Sequence, residues 1–236
     1  MPRRIVIADT ETASLQGGVC EFAVIEIDED LKVVNTISSL IDPQTPIMPA
    51  AQAVHGISDA MVAHEPTAAE YLHHFGDPFN GDPLVMFGHN IQFDIRMFVQ
   101  SGFLTEKHRV VPSCTLRMAR NLWPDYSESN GRNHKLGTLA LIHGISVSDV
   151  HRAMADALTT LGLLRLIANE SSVGSFEELL ALGRAALSPD TKMPFGEHKG
   201  KLLRDVPSSY VSWMRTKPDM ITKYADLLEA FTAMGK

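Results

Sequence analysis

The chain has 236 residues, of which 44% are hydrophobic and 21% charged, and its formal net charge is −7. This length suits one full α/β core with a small appendage, and the acidic balance argues against a protein that coats DNA through a broad basic surface. Because no apolar run is long enough to span a bilayer and the start lacks a signal-peptide layout, we expect a cytoplasmic protein without a membrane partner.

Two acids follow the first predicted strand. Residues 5–8 form a continuous apolar run, and Asp9 and Glu11 come directly after it. Because strand side chains alternate between faces, both carboxylates lie on one side, about 7 Å apart. Two desolvated acids repel each other unless a cation lies between them. Mg²⁺ or Mn²⁺ suits this place, since hard divalent ions prefer oxygen ligands.

Three strands in series open the predicted sheet, near residues 4–9, 20–27 and 32–41, and form an antiparallel meander. Further strands are predicted near 84–87 and 109–111. Helices are predicted near 66–75, 91–101, 113–122, 135–143, 152–170 and 175–187. This order predicts an α/β protein with a mixed central sheet flanked by helices.

A third acid follows the strand near 84–87. Asn90 is a predicted helix cap, and the helix that follows is closed by Gly102. Asp94 then lies in the first helical turn beside a strand end, where ligands gather in α/β domains. Taken alone, Asp94 has a simpler interpretation as a solvated acid that pairs with the helix dipole.

The long helix near 152–170 contributes a fourth acid and a histidine. Ser148 and Asp149 offer a cap, and one helical stripe then carries Asp156, Thr160, Leu163, Leu164 and Ile167. Asp156 therefore points inward. His151 belongs to the loop or first turn before this helix, where an imidazole can take a proton from an attacking water. By itself, His151 would more often be a capping or surface histidine.

Two other site types are disfavoured. Asp9-Thr10 resembles the start of an aspartic-protease motif, but Glu11 replaces the required glycine and no second copy occurs. Cys20 and Cys114 are the only cysteines, and they do not form a Cys-x-x-Cys pair. We expect both to be reduced rather than zinc ligands or a disulfide.

The three acidic segments at residues 9–11, 89–94 and 151–156 have the order Asp-x-Glu, His-Asn-x-x-Phe-Asp and His-x-x-x-x-Asp. This order resembles the histidine-type branch of the proofreading exonuclease superfamily, from residue 3 to about residue 170. Residues 15–18, 53–57 and 119–124 look most similar to its bacterial exodeoxyribonuclease X group, and residues 194–201 and 210–214 resemble the tail of that group.

The resemblance implies a ribonuclease H-like fold with an exonuclease domain at 1–172, a helix and linker at 173–192 and a small C-terminal accessory module at 193–236. Residues 188–193 are turn-rich and mark the boundary. Because the module has few apolar anchors, we expect it to dock on the catalytic domain or on a partner. Lys199 and Lys201, in a glycine-flanked turn, are expected nucleic-acid contacts.

The resemblance also implies two divalent ions, Mg²⁺ or Mn²⁺. Asp9, Glu11 and Asp156 would bind the first, Asp9 and Asp94 would serve the second, and His151 would activate the attacking water. Expected substrate contacts are Thr12, Leu15, Gln16, His55, Asn90 and Phe93. Among them the Leu15-Gln16 pair would wedge the terminal bases, and His55 and Phe93 would flank the 3′ nucleotide. A turn histidine and a core phenylalanine are the simpler interpretations of the last two.

The implied activity is metal-dependent 3′-to-5′ hydrolysis of terminal phosphodiesters of DNA, in single strands or at duplex 3′ ends, to 5′-mononucleotides, with a role in DNA repair. The same residues would also allow a 3′-to-5′ exoribonuclease in RNA processing, since recognition of the 2′-hydroxyl lies elsewhere. A non-catalytic module that grips a strand end is a third hypothesis, and the filled set of five catalytic positions argues against it. We also expect that the chain can form a homodimer.

Overall fold

A mixed five-stranded sheet lies at the centre of the computed structural model, which describes residues 3–126, 131–146 and 151–236. The strands are β1 Arg4–Thr12, β2 Val19–Ile27, β3 Val33–Leu40, β4 Leu84–Gly88 and β5 Val110–Cys114, in the order β3-β2-β1-β4-β5. β1, β2 and β3 pair antiparallel, whereas β1 pairs with β4, and β4 with β5, in parallel. The predicted meander and the mixed sheet are both confirmed.

The described part of the chain also contains helices, several of which pack on the sheet. They are α1 Pro49–His55, α2 Asp59–Val62, α3 Ala68–Phe75, α4 Gln92–Gln100, α5 Thr115–Leu122, α6 Leu136–His143, α7 Ala153–Glu170, α8 Phe176–Leu182, α9 Ser208–Arg215, α10 Pro218–Lys223 and α11 Ala225–Ala233. The predicted helices correspond to α3 to α8. α1 and α2 were not predicted, and α1 includes residues 53–55 of the segment that resembles the exodeoxyribonuclease X group. None of the described helices is long and apolar enough to cross a membrane.

The alternation of side chains along β1 determines on which face of the sheet each acid lies. Ile5 and Ile7 belong to the apolar core beneath α7, whereas Val6 and Ala8 belong to the core beneath α4. Asp9 and Glu11 continue the first series, because residues two apart in a strand share a face. The carboxylates therefore emerge on the α7 side of the sheet.

The start of α4 differs from the prediction. Ile91, not Asn90, is the N-cap residue, and no side chain caps this helix. Asn90 instead has a positive φ of 75°, a conformation that Asn adopts more readily than most residues. Its carbonyl oxygen accepts a hydrogen bond of 2.9 Å from the N–H of Phe93. The predicted cap of α7, Ser148 and Asp149, lies outside the described residues.

The C-terminal module has an apolar cluster of its own. Its buried members are Leu187, Met193, Leu203, Val206, Val211, Met214, Leu227, Ala230 and Phe231. The tail thus holds more core than its few aromatic anchors indicated, and the cluster begins before residue 193. The module also contacts the rest of the chain through ion pairs of Arg117 with Glu229 and of the buried Arg120 with Asp226.

Candidate active site

Three of the predicted carboxylates converge at the end of β1. Asp9, Glu11 and Asp156 each offer one carboxylate oxygen, and these oxygens lie within 4.8 Å of one another. Asp9 and Glu11 reach this point because β1 continues to Thr12 rather than ending at residue 9. Asp156 reaches it from the first turn of α7, which packs on the same face of the sheet. The arrangement is a cluster of oxygen ligands of the kind that a hard divalent ion prefers.

Asp94 approaches the cluster from the α4 side. Its side chain is only 4% exposed, and its Oδ1 accepts a hydrogen bond of 2.8 Å from the Thr10 hydroxyl. Thr10 lies between Asp9 and Glu11 but points to the opposite face of β1. Asp94 is therefore a buried acid beside the cluster, not the solvated acid of the simpler interpretation. The contribution of Thr10 could not be deduced from the spacing of the acids.

Burial raises the pKa of Asp9, Glu11 and Asp94, and repulsion from neighbouring carboxylates adds to the rise. Burial, reinforced by the charges of Asp94, Asp156 and Glu11, holds the pKa of Asp9 well above its ordinary value. Burial and the nearby Asp156 raise the pKa of Glu11 to about 8. Burial raises the pKa of Asp94 to about 7, although the Thr10 hydrogen bond opposes this rise. Such acids ionise together at neutral pH only when positive charge offsets their repulsion, so these residues fit a divalent metal.

His151 lies beside Asp156, immediately before α7. Its side chain is exposed, and its backbone has a positive φ of 64°. Burial raises the pKa of Asp156, and the electrostatic interaction with His151, together with a backbone hydrogen bond from His151, partly offsets this rise. The imidazole therefore stands at the rim of the acidic cluster, as expected for a group that exchanges protons with water.

An ion pair next to His151, between the buried Glu21 and the partly exposed Arg152, was not anticipated. Glu21 lies opposite Glu11 in the β1–β2 register, and Arg152 donates to both of its carboxylate oxygens. The backbone N–H of Ala153 also donates to Glu21, at 2.9 Å. Glu21 thus joins β2 to the first residue of α7 and fixes the segment that carries His151. The available signal was a buried acid within β2, a largely apolar strand whose other acid is Glu26.

The loop after β1 carries two of the expected substrate contacts. The backbone carbonyl of Leu15 accepts a hydrogen bond of 2.9 Å from Arg96, and that of Gln16 accepts one of 2.6 Å from Gln100. The Leu15 side chain is nevertheless 61% exposed. α4 therefore holds the loop backbone while an apolar side chain stays available to a ligand.

His55 closes the other side of this loop. Its Nδ1 accepts a hydrogen bond of 3.0 Å from the N–H of Ile57, so the proton lies on Nε2, which donates to the carbonyl of Thr12 at 3.3 Å. His55 is buried, and burial lowers its pKa. This contact holds the backbone at Thr12, which the sequence also assigned to the substrate.

The remaining expected contacts differ in their surroundings. Phe93 is half-buried against the core beneath α4, with the guanidinium of Arg96 5.5 Å from its ring centroid. Asn90 and Lys199 line a cavity of about 690 Å³ that also includes His151 and Asp156. Lys201 is not among the described residues of this lining, and its Nζ lies 3.3 Å from Nδ1 of His198. The two lysines of the tail therefore occupy different environments.

The raised pKa of Glu11 predicts how the stability of the metal-free protein depends on pH. As the pH rises from the ordinary value of 4.5 towards about 8, the unfolded state releases the Glu11 proton before the folded state does. The free energy of unfolding therefore falls as the pH rises through this window. Below the window, Glu11 is protonated in both states and does not destabilise the fold. In chelator, we expect Tm to fall across the window, and to fall less for Glu11→Gln. Equal slopes for both proteins would contradict the shift.

Comparison with known proteins gives the family. An "Exonuclease" family model matches residues 6–164, and a model described as "Putative quorum-sensing-regulated virulence factor" matches residues 187–228. Exodeoxyribonuclease 10 of Escherichia coli strain K12 is 32% identical over 223 residues, which are 92% of each chain. DNA polymerase III subunit epsilon of Haemophilus influenzae strain Rd is 30% identical over 203 residues, covering 74% of each chain.

A solved structure agrees with this match. Exonuclease X in complex with 5′ overhanging duplex DNA is 32% identical and has a TM-score of 0.60, covering 76% of this chain and 99% of that chain. The ribonuclease H-like α/β fold predicted from the sequence is thereby confirmed. Since the family model spans the sheet and all four acids, and a relative matches over nearly its whole length, the chain belongs to the exonuclease family.

Proposed function

We propose that the protein is a metal-dependent 3′-to-5′ exodeoxyribonuclease that releases 5′-mononucleotides from single strands or from the 3′ ends of duplex DNA. The observation that carries this proposal is the convergence of Asp9, Glu11 and Asp156 within 4.8 Å, beside the buried Asp94. DNA is preferred to RNA because the relatives are an exodeoxyribonuclease and a DNA polymerase subunit, and because the matching structure holds duplex DNA.

The metal ions are proposed as two, either Mg²⁺ or Mn²⁺. Asp9, Glu11 and Asp156 would hold the first, and Asp9 with Asp94 would serve the second. Bound there, the ions would acidify the attacking water and stabilise the charge that develops on the attacking and leaving oxygens. The raised pKa values of Asp9, Glu11 and Asp94 support this assignment, because the fold keeps these acids together at an electrostatic cost.

The chain's own residues would carry out the proton transfer. His151 accepts a proton from the attacking water, whose oxygen forms a bond to the terminal phosphorus as the bond from phosphorus to the preceding 3′ oxygen breaks. The leaving 3′ oxygen takes up a proton from solvent. Glu21 and Arg152 hold the start of α7, so the imidazole stays at the rim of the cluster.

The proposed substrate contacts surround this centre. The exposed Leu15 and its neighbour Gln16 would wedge the terminal bases, and the backbone at Thr12, held by His55, would border the 3′ nucleotide. Phe93 would offer part of its ring for stacking. Asn90 would contact the strand from the cavity lining.

The decisive experiment compares labelled single-stranded DNA, duplex DNA and RNA of the same sequence, each with Mg²⁺, with Mn²⁺ and with chelator. We expect stepwise release of 5′-mononucleotides from the 3′ ends of DNA with either ion, and none in chelator. Faster release from RNA would favour an exoribonuclease. Binding of strand ends without release would favour a non-catalytic module.

The role in DNA repair, the cytoplasmic location and the homodimer also stay predictions. An assay of mass in solution, by sedimentation or light scattering, tests the homodimer directly. A single monomeric species at assay concentration would contradict it.

A further inference from the structure

The cavity of about 690 Å³ has two walls that come from different parts of the chain. The exonuclease domain contributes His151, Asp156, Lys135 and neighbouring residues, and the C-terminal module contributes Phe195, Lys199 and Tyr224. Because His151 and Asp156 belong to the lining, the cavity is continuous with the candidate active site. The module therefore borders the place where the substrate reacts.

The lining is cationic although the chain as a whole carries a net charge of −7. Among the described lining residues, the cations are Arg120, Lys135, Lys192 and Lys199, and Asp156 is the one acid. Arg120 and Lys192 also form ion pairs with Asp226 and Asp125. Lys135 lines the cavity from the exonuclease domain, and Lys199 lines it from the module. This charge is complementary to a chain of phosphates.

The module wall also offers aromatic rings. Phe195 stacks on Tyr224 with their ring centroids 3.9 Å apart and an interplanar angle of 19°, and both rings are only half-buried. Tyr126 lines the cavity from the exonuclease domain. Aromatic faces next to cationic side chains are the means by which proteins bind single strands of any sequence, since every base has a face that can stack.

Two ion pairs fix the module in this position. Arg117 pairs with Glu229, and the buried Arg120 pairs with the buried Asp226. The N–H of Cys114 also donates to the carbonyl of Gly183, in the segment that leads to the module, at 3.1 Å. The module wall is thus attached to β5 and α5, which belong to the exonuclease domain, and the cavity has a defined width.

We infer that this cavity binds the single strand that leads to the scissile phosphodiester, with phosphates between Lys135 and Lys199 and a base on Phe195. The inference rests on the proposed function for the identity of the strand. It assigns the C-terminal module a part in substrate binding. It also gives Lys199 a phosphate contact but not Lys201, which lies outside the described lining.

The test measures binding of a fluorescent single strand of DNA to the full chain by anisotropy, in chelator and over a range of salt concentrations. Each phosphate contact should contribute about 0.7 to the slope of log affinity against log salt. Lys199→Ala and Lys135→Ala should therefore each flatten the slope by about that amount, and Lys201→Ala should keep the wild-type slope. Thermal melting of each variant reports whether it is folded.

A second variant separates base contacts from phosphate contacts. Phe195→Leu keeps an apolar side chain against the module core but removes the ring. We expect it to weaken binding by about 5-fold or more without changing the salt slope, because stacking releases no counterions. Wild-type affinity for this variant would show that no base stacks on Phe195.

Three outcomes would overturn the inference: wild-type slopes for both Lys135→Ala and Lys199→Ala, equal effects of Lys199→Ala and Lys201→Ala, or no strand binding by the wild-type chain. Because binding is measured in chelator, these results do not depend on turnover. Loss of the proposed exonuclease activity would appear instead in the release assay with Mg²⁺. The two proposals can thus fail separately.

Discussion

Asp9→Ala is expected to reduce nucleotide release to the background rate. Asp9 is the acid whose pKa is influenced by all of the others, since the charges of Asp94, Asp156 and Glu11 each act on it. It is also the one carboxylate proposed to serve both metal ions. Its removal should therefore abolish the metal-dependent reaction rather than slow it, and metal binding measured by calorimetry should weaken in parallel.

The same substitution should leave the fold intact. Asp9 is buried among like charges, so its removal takes away their mutual repulsion. We expect the Tm of metal-free Asp9→Ala to equal or exceed that of the wild type at neutral pH. Asp30→Ala, which removes an exposed acid paired with Lys32, serves as the control and should keep full activity. Near-normal Mg²⁺-dependent turnover of Asp9→Ala would contradict the two-metal assignment.

The parts of the site that the sequence predicted are those fixed by local periodicity. Alternation along β1 puts Asp9 and Glu11 on one face, and the helical stripe of α7 turns Asp156 towards it. Both rules act within one element, and the structure brings these three side chains together. Asp94 needed the additional rule that ligands meet at strand ends.

What the sequence did not predict depends on contacts between elements. Glu21 and Arg152 are 131 residues apart, and only the β1–β2 register and the position of α7 bring them together. The cavity wall formed by Phe195 and Lys199 depends likewise on how the C-terminal module docks. The prediction that Asn90 caps α4 was wrong for a local reason. Asn90 has a positive φ, and this turn conformation competes with the capping conformation.

His151→Asn is expected to lower kcat by about 10²–10⁴-fold, the usual effect of removing a positioned general base. Asn is the matched substitution because His151 has a positive φ of 64°, which Asn tolerates better than Ala does. The variant should keep metal binding and strand affinity, since the side chain stands at the rim of the cluster and the backbone N–H that reaches Asp156 is retained.

A control variant and a pH profile test whether the loss of kcat in His151→Asn reflects proton transfer. His73→Asn, at an exposed histidine of α3, is the control and should keep wild-type turnover. At saturating Mg²⁺, kcat of the wild type should fall at low pH, and this limb of the profile should disappear in His151→Asn. If metal binding were lost in step with activity, His151 would be a ligand or a structural residue instead. An unchanged acid limb in the variant would mean that another group accepts the proton.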